Sequence, residues 1–394
     1  MATSDPQPHH RPRLLAVGPA ADLSSYSRVL HSTFRHLSAD WEIHHFGVNY
    51  RGEPFDDGWS VLPNPSIGDR YGVAQIPGLV ERLKPDVIFL FNCFTVLPRY
   101  SGLAERLGEG RPKIVAYSPL LGEPIDPRRA RGLGFFDALV GFSPGVKGYF
   151  EFLLQGFLEE GSIPRMPRVE AIPHGLDGDR FFPLGERRWE DGRFVVLNAN
   201  RNSPRKRVDI TLEGFALFAQ GKPPGVRLHL HMGECLDGRM LQELIGRLGI
   251  ADRVHLACAE PGGHPEIPDA ELNRLYNACD VGINTASAEG FGMVSLEHAA
   301  TGAPQIVPGH HVCGEVWEGH AEVLEPVELS GSRLVKEGIV SAAGVAAALE
   351  RLYSDRAHRE RMSALALANA RRPELQWRRI AERWSALLGE LARP

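Results

Sequence analysis

Asp280 to Pro308 reads DVGINTASAEGFGMVSLEHAATGAPQIVP. The stretch opens on an apolar run, DVGINTA, passes a turn bracketed by Gly290 and Gly292, continues in the helical pattern VSLEHAATG and closes on a second apolar run, PQIVP. Runs that are apolar throughout, rather than alternating, suit strands covered on both faces, as in a parallel sheet. Parallel neighbours need a crossover, and the helical segment between the two runs supplies it.

The same reading extends in both directions. FVVLNAN, VRLHLHM, RVHLA and AEVL supply further strands of the second half, with VDITLEGFALFAQ and DAELNRLYNAC as helices between them. The first half repeats the alternation in RLLAVG, WEIHHFG, DVIFLF, KIVAYS, ALVGFS and RVEAIP, with IPGLVERL among its helices. Between the two series the pattern breaks into Gly, Pro and charge over IPHGLDGDRFFPLGERRWEDGR, from Ile172 to Arg193, which marks a linker. The expectation is α/β: two doubly wound, Rossmann-like domains in tandem. Residues 1–12 form a polar tail expected to be disordered, and the first domain begins at residue 13. Ligands of such sheets lie beyond the carboxyl ends of the strands, so two facing domains are expected to enclose a cleft with the chemistry on its loops.

Bulk composition narrows the partners. The 394 residues carry a net charge of -5, and the first 180 hold 19 Lys+Arg against 21 Asp+Glu, so neither nucleic acid nor an anionic membrane finds a cationic excess. Five scattered cysteines (Cys93, Cys235, Cys258, Cys279, Cys313) without a C-x-x-C pair read as free thiols in a reducing compartment, with the cytoplasm expected. The most apolar run, VIFLFNCFTVL, is too short to span a bilayer. PRRARGLGFF, from Pro127 to Phe136, mixes arginines with aromatics and reads as a solvated loop or, at most, a peripheral membrane contact.

Two loops following strands carry candidate chemistry. NANRNSPRKRVD places Arg201, Arg205, Lys206 and Arg207 at the start of a helix, where cations oppose the macrodipole unless an anion is bound. The loop is either a solvated basic turn or a phosphate site; Asn198, Asn200 and Asn202, alternating along the strand's exit, favour a polar site. SAEGFGM brings backbone N–H groups near a ligand through Gly290 and Gly292, with Glu289 on the loop and Glu297 about one turn inside the helix. Carboxylates beside a diphosphate serve as acceptors for hydroxyls, which points to a nucleotide sugar; the plainer alternative is an exposed helical Glu297 and a dipole-favoured Glu289. A metal is not expected: His310, His311 and Cys313 in PGHHVCGE lack a fourth ligand, and adjacent histidines on a strand would face apart. HLHM, at His229 to Met232, reads as strand alternation, and no G-x-S-x-G nucleophile motif occurs.

Taken together these motifs resemble glycosyltransferase family 4, the retaining nucleotide-sugar transferases of GT-B fold. The resemblance rests on Arg201 with Lys206 five residues on, Glu289 and Glu297 separated by seven residues around GFGMVSL, Gly302-Ala303-Pro304, and Gly314-Glu315. IPHGLDGDRFFP is similar to the family's I-P-N-G-V-D segment, with His174 in place of Asn, and the terminal helix with Trp377 and Trp384 looks like the one that crosses back to the first domain. The resemblance implies an acceptor-binding domain over 13–183 with helix 374–394, and a donor-binding domain over 184–373. It implies catalytic roles for Arg201, Lys206 and Glu289, and donor contacts from Asn200, Arg201, Lys206, Glu289, Gly290, Phe291, Gly292, Met293, Val294 and Glu297. Glu289 would accept from the transferred sugar and Glu297 from the ribose, with no metal or other cofactor and with UDP favoured as nucleotide. The acceptor would be a sugar, a natural product or a lipid-linked glycan, touched by Gly18, Ser24, Ser25, Asn92 and His174. In the first domain the sequence departs from the family: GPAADLSSYS lacks the Gly-Gly loop, and Phe91 and Asn92 stand where a histidine is common. Other readings of the same motifs are a GT-B epimerase or phosphorylase, or a non-catalytic nucleotide-sugar-binding protein.

Overall fold

The computed structural model describes residues 11–20, 25–120, 127–185, 193–233, 235–236, 239–258, 265–332 and 335–393. The chain forms two compact units; it leaves the first at Gly175, returns to it at Trp377, and makes the second from 176–376. Expected boundaries at 183 and 374 thus compare with observed ones at 175 and 376. Residues just after Gly175 are tied to the second unit by side chains: Phe181 packs on Tyr276 at 5.6 Å, and Asn273 Oδ1 accepts from the Phe182 N–H at 3.2 Å. The Leu176 N–H donates to the Leu375 carbonyl, so the outgoing and returning strands of chain run side by side.

In the first unit β1 (Arg13–Gly18), β2 (Glu42–Gly47), β3 (Ser60–Pro63), β4 (Val87–Phe91), β5 (Lys113–Tyr117), β6 (Ala138–Gly141) and β7 (Arg168–Ala171) form one parallel sheet in the order β3-β2-β1-β4-β5-β6-β7. Each strand that reads as an apolar run in the sequence is present. β4 is buried at all five positions, as strands covered on both faces must be. β3, an edge strand of four residues with no buried position, carries no such run and is not legible in the sequence. The terminal helix Trp377–Ala392 belongs to this unit. Trp384 rests on Phe89 and Tyr117, each at 4.8 Å between ring centres, and Trp377 lies so close to Gly175 that a Cβ there would meet the indole at 2.6 Å. The seven-residue spacing of the two tryptophans therefore does mark one buried face.

The second unit repeats the architecture. β8 (Arg193–Asn198), β9 (Gly225–Gly233), β10 (Val254–Cys258), β11 (Val281–Ile283), β12 (Gln305–Pro308) and β13 (Glu322–Leu324) form a parallel sheet in the order β10-β9-β8-β11-β12-β13. In both units the first strand sits beside the fourth, so the direction of winding reverses there, and this is where doubly wound sheets open a ligand crevice. The helix Val208–Phe218 packs on Ala342–Ser354 closely enough that a Cβ on Gly214 would stand 2.4 Å from Val345. One sequence expectation is corrected: His310 and His311 do not lie on a strand, because β12 ends at Pro308, His310 caps a helix and His311 begins it (His311–Trp317). An antiparallel hairpin, Glu328–Ser332 with Val335–Ile339, was not foreseen either.

Candidate functional site

The switch point of the second unit lies between β8 and β11, and both basic and glycine loops leave from it: 199–207 follows β8, and 284–292 follows β11. A hydrogen-bond chain joins the two. Asn200 donates to Asn198 Oδ1 at 3.0 Å, Asn198 donates to Thr211 Oγ1 at 3.0 Å, and Thr211 and Thr285 share a bond of 2.8 Å. Thr285 in turn donates to the carbonyl of Arg207 at 2.9 Å, and the Ser287 N–H to that of Arg205 at 2.8 Å. The loops are thus fixed before any ligand arrives.

At the centre, the buried Lys206 ammonium donates to Asn200 Oδ1 at 2.8 Å and to Glu289 Oε2. Glu289, equally buried, also accepts from Asn284 Nδ2 at 3.2 Å on the same oxygen and from the Gly290 N–H at 3.1 Å on the other. Arg205 lies 3.8 Å from the carboxylate and donates to the Ala288 carbonyl. Burial alone would raise the Glu289 pKa, but Lys206, Arg205 and these hydrogen bonds outweigh it and hold it at about 2. Burial also pulls the Lys206 ammonium below its ordinary value, against the opposing pull of Glu289. Glu289 is the fixed negative charge of the site, and Lys206 is held protonated by having that charge beside it.

Of the four cations at this helix start, the structure separates the roles. Arg207, in a left-handed conformation (φ 46°), turns to Asp209 at 2.8 Å. Arg205 and Lys206 serve Glu289, so three of the four charges that seemed to need an external anion are met by two of the chain's own carboxylates. Arg201 is exposed and has no hydrogen bond or ion pair among the described residues. Asn202 is directed to the Gly233 carbonyl at 3.3 Å.

Gly292 caps the helix Met293–Ala299 with φ 86°, a conformation open to glycine and strained for other residues. From Asp280 to Pro308 every residue is buried except Met293 and Val294, so the first turn of this helix is where the stretch reaches the surface. Phe291 is buried. Glu297 is buried too, which removes the exposed-helix alternative, and it accepts from the Tyr276 hydroxyl at 3.2 Å. Sequence reasoning missed Asn284, Thr211, Thr285, Ser287 and Tyr276. The run N-T-A-S immediately after an apolar strand was the available signal for three of them.

The residues singled out in the first unit do not converge in the same way. Gly18 ends β1 against Leu30, which a Cβ would meet at 2.7 Å, and Ser25 opens the helix Ser25–Leu37 at the surface. Asn92, directly after β4, bonds the Cys93 N–H at 2.9 Å. Ser24 lies outside the described residues. His174 is an interior residue: it is buried, its Nδ1 bonds the Tyr117 hydroxyl at 2.9 Å, and its ring lies 3.9 Å from that of Phe142. Burial holds its pKa at about 3, so the imidazole is neutral.

Among the described residues no group of three or more His, Cys, Asp or Glu is arranged to hold a metal ion. His229, His231 and His255 line one sheet face as stacked rings, 6.0 and 4.7 Å apart. In the segment 127–136, Leu133 and Phe136 are buried and Arg131 pairs with Glu160 at 3.4 Å, while Phe135 is exposed. No helix among the described residues is long and apolar enough to cross a membrane.

Residues 184–367 match the family described as Glycosyl transferases group 1. Mannosylfructose-phosphate synthase of Agrobacterium fabrum is 32% identical over 171 residues, 40% of this chain and 36% of that protein. The chain spans about a third of the length of the first curated relatives it matches. Among solved structures, sucrose-phosphate synthase of Thermosynechococcus elongatus superposes with a TM-score of 0.70 at 16% identity, covering 97% of this chain and 99% of that one. The Anabaena protein Alr3699/HepE, in complex with UDP-glucose, gives 0.69 at 17% identity, covering 96% and 99%. At these identities the structural likeness is one of fold: two Rossmann-like α/β domains, as in GT-B glycosyltransferases.

Proposed function

We propose that this chain is a glycosyltransferase of family 4 that moves a sugar, with retention of configuration, from a nucleoside diphosphate sugar to an acceptor hydroxyl. The observation that carries the proposal is the buried Lys206–Glu289 pair at the switch point of the second unit, inside the segment that matches the glycosyl transferase family. UDP is the nucleotide of choice, supported by the fold shared with a protein captured with UDP-glucose.

The hydrogen-bonding capacity that remains fits this task. An ammonium has three donors, of which Lys206 uses two on Asn200 and Glu289, leaving one for an oxygen of the diphosphate. A carboxylate has about four acceptor positions, of which Lys206, Asn284 and Gly290 fill three on Glu289, leaving one for a sugar hydroxyl. Arg201, exposed and unengaged, adds a second positive charge for the departing diphosphate. As the glycosidic bond breaks, negative charge grows on the diphosphate, and donors fixed in advance stabilise it without reorganisation. The acceptor hydroxyl attacks from the leaving-group face and a phosphate oxygen takes its proton, so the protein supplies position and field. No metal is needed in this scheme.

Glu297, held by Tyr276, takes the ribose hydroxyls. Glu297→Ala is expected to weaken UDP binding roughly 10–100-fold, the worth of one or two charge-assisted bonds, while kcat at saturating donor changes far less. Calorimetric titration with UDP, GDP, ADP and dTDP measures this and ranks the bases; an unchanged UDP affinity in the variant would reject the ribose role. Product analysis with acceptor omitted distinguishes transfer from isomerisation or phosphorolysis of the donor.

A further inference from the structure

Lys206 is held at both ends by one closed chain of hydrogen bonds, and the direction of each bond in it is fixed. The ammonium can only donate, so the atom it meets on Asn200 at 2.8 Å is the amide oxygen. The Asn200 amide nitrogen therefore faces Asn198 Oδ1 at 3.0 Å, and Asn198 turns its own amide nitrogen to Thr211 Oγ1 at 3.0 Å. At the other end a carbonyl can only accept, so the single hydroxyl hydrogen of Thr285 goes to the backbone of 206–207, at 2.9 Å from the Arg207 oxygen and 3.2 Å from that of Lys206. Thr285 Oγ1 then accepts from the Thr211 hydroxyl at 2.8 Å. Asn198, Asn200, Thr211 and Thr285 are all buried, where bonds aligned head to tail reinforce one another.

The chain ends where the backbone is strained. Arg207 has φ 46° and ψ 47°, a left-handed conformation that is costly for a residue with a Cβ and free for glycine. It separates the short turn Pro204–Lys206 from the helix Val208–Phe218, and across it Lys206 is buried while the Arg207 side chain turns outward to Asp209. Thr285 lies in the loop after β11, 79 residues from Lys206, so its hydroxyl ties the carbonyls of this strained turn to the loop that carries Glu289. We propose that Thr285 is a positioning residue: without touching donor or acceptor, it holds residue 207 in the left-handed turn that aims the Lys206 ammonium at the departing diphosphate. The aim at a diphosphate rests on the function proposed above; the hold on Lys206 does not.

Thr285→Val keeps the shape of the side chain and deletes the hydroxyl. Hydrolysis of UDP-glucose with acceptor omitted is expected to fall about tenfold in kcat, the worth of one hydrogen bond, while UDP affinity by calorimetry changes less than about threefold. Thr285→Ser is expected to regain most of the lost rate. Because the effect runs through Lys206, Thr285→Val is expected to change the rate little in a Lys206→Ala background. Because glycine takes the left-handed turn freely, adding Arg207→Gly to Thr285→Val is expected to recover much of the loss. Thr211→Val breaks the chain one link earlier and gives the same reading should Thr285→Val fail to fold. Wild-type turnover in the folded variant, or an equal loss with and without Lys206, overturns the proposal. A crystal structure of Thr285→Val reads the positioning without activity: Lys206 Nζ is expected to leave Asn200 or Glu289, and its staying on both overturns the proposal. Absence of both UDP binding and UDP-glucose turnover in the wild type would count against the proposed function instead.

Discussion

Lys206→Ala is expected to lower kcat about 10²–10³-fold, the loss typical of removing one preorganised donor aimed at developing negative charge. Lys206 is buried, its ammonium is fixed by Asn200 and Glu289, and it needs no rearrangement to meet the departing diphosphate. Single-turnover kinetics at saturating donor isolates the chemical step. The effect belongs in kcat, because the charge it stabilises exists chiefly in the transition state. Wild-type turnover in the purified variant would show that Lys206 is structural.

A second large effect is on stability. Lys206→Met removes the hydrogen-bonded cation of a buried carboxylate, leaving Arg205 at 3.8 Å as the nearest positive charge, and is expected to destabilise the second unit by about 3 kcal/mol. Adding Glu289→Gln removes the orphaned charge and is expected to recover most of that stability while leaving activity low. Urea unfolding of wild type, both single variants and the double variant reads the cycle; an effect of Glu289→Gln that is the same in the wild-type and Lys206→Met backgrounds would mean the pair is not energetically coupled. The same pair has a pH signature. Glu289 titrates at about 2 in the folded chain against an ordinary 4.5, so below pH 4.5 the unfolded chain binds the additional proton. Its stabilisation is complete above pH 4.5 and is lost as pH falls towards 2, on the order of 3 kcal/mol in all. Because other carboxylates contribute to acid unfolding, the informative quantity is the slope of wild type minus that of Glu289→Gln, which is positive in this window.

Much of the fold was legible because both sheets are parallel and buried on both faces, so their strands appear as apolar runs. What escaped the sequence lacks that signature: β3 is short and at an edge, and the Glu328–Ile339 hairpin has exposed Leu329 beside the exposed Val327 that precedes it. The site was legible in part for the same reason, since Asn200, Lys206 and Glu289 lie on loops that follow such runs. The pairing itself was not, because Lys206 and Glu289 are 83 residues apart and only the adjacency of β8 and β11 brings them together. Local charge counting misled at Arg207, whose partner Asp209 is two residues on. Motif position gave no sign of the burial of His174, which Tyr117 and Phe142, distant in sequence, bring about.

A crystal structure of the chain with UDP decides whether the switch point of the second unit is the donor site. The diphosphate is expected within hydrogen-bond distance of Lys206 or Arg201 and of backbone N–H groups in 290–294, with the ribose on Glu297. UDP bound elsewhere, with the Lys206–Glu289 pair facing no ligand atom, would contradict that assignment.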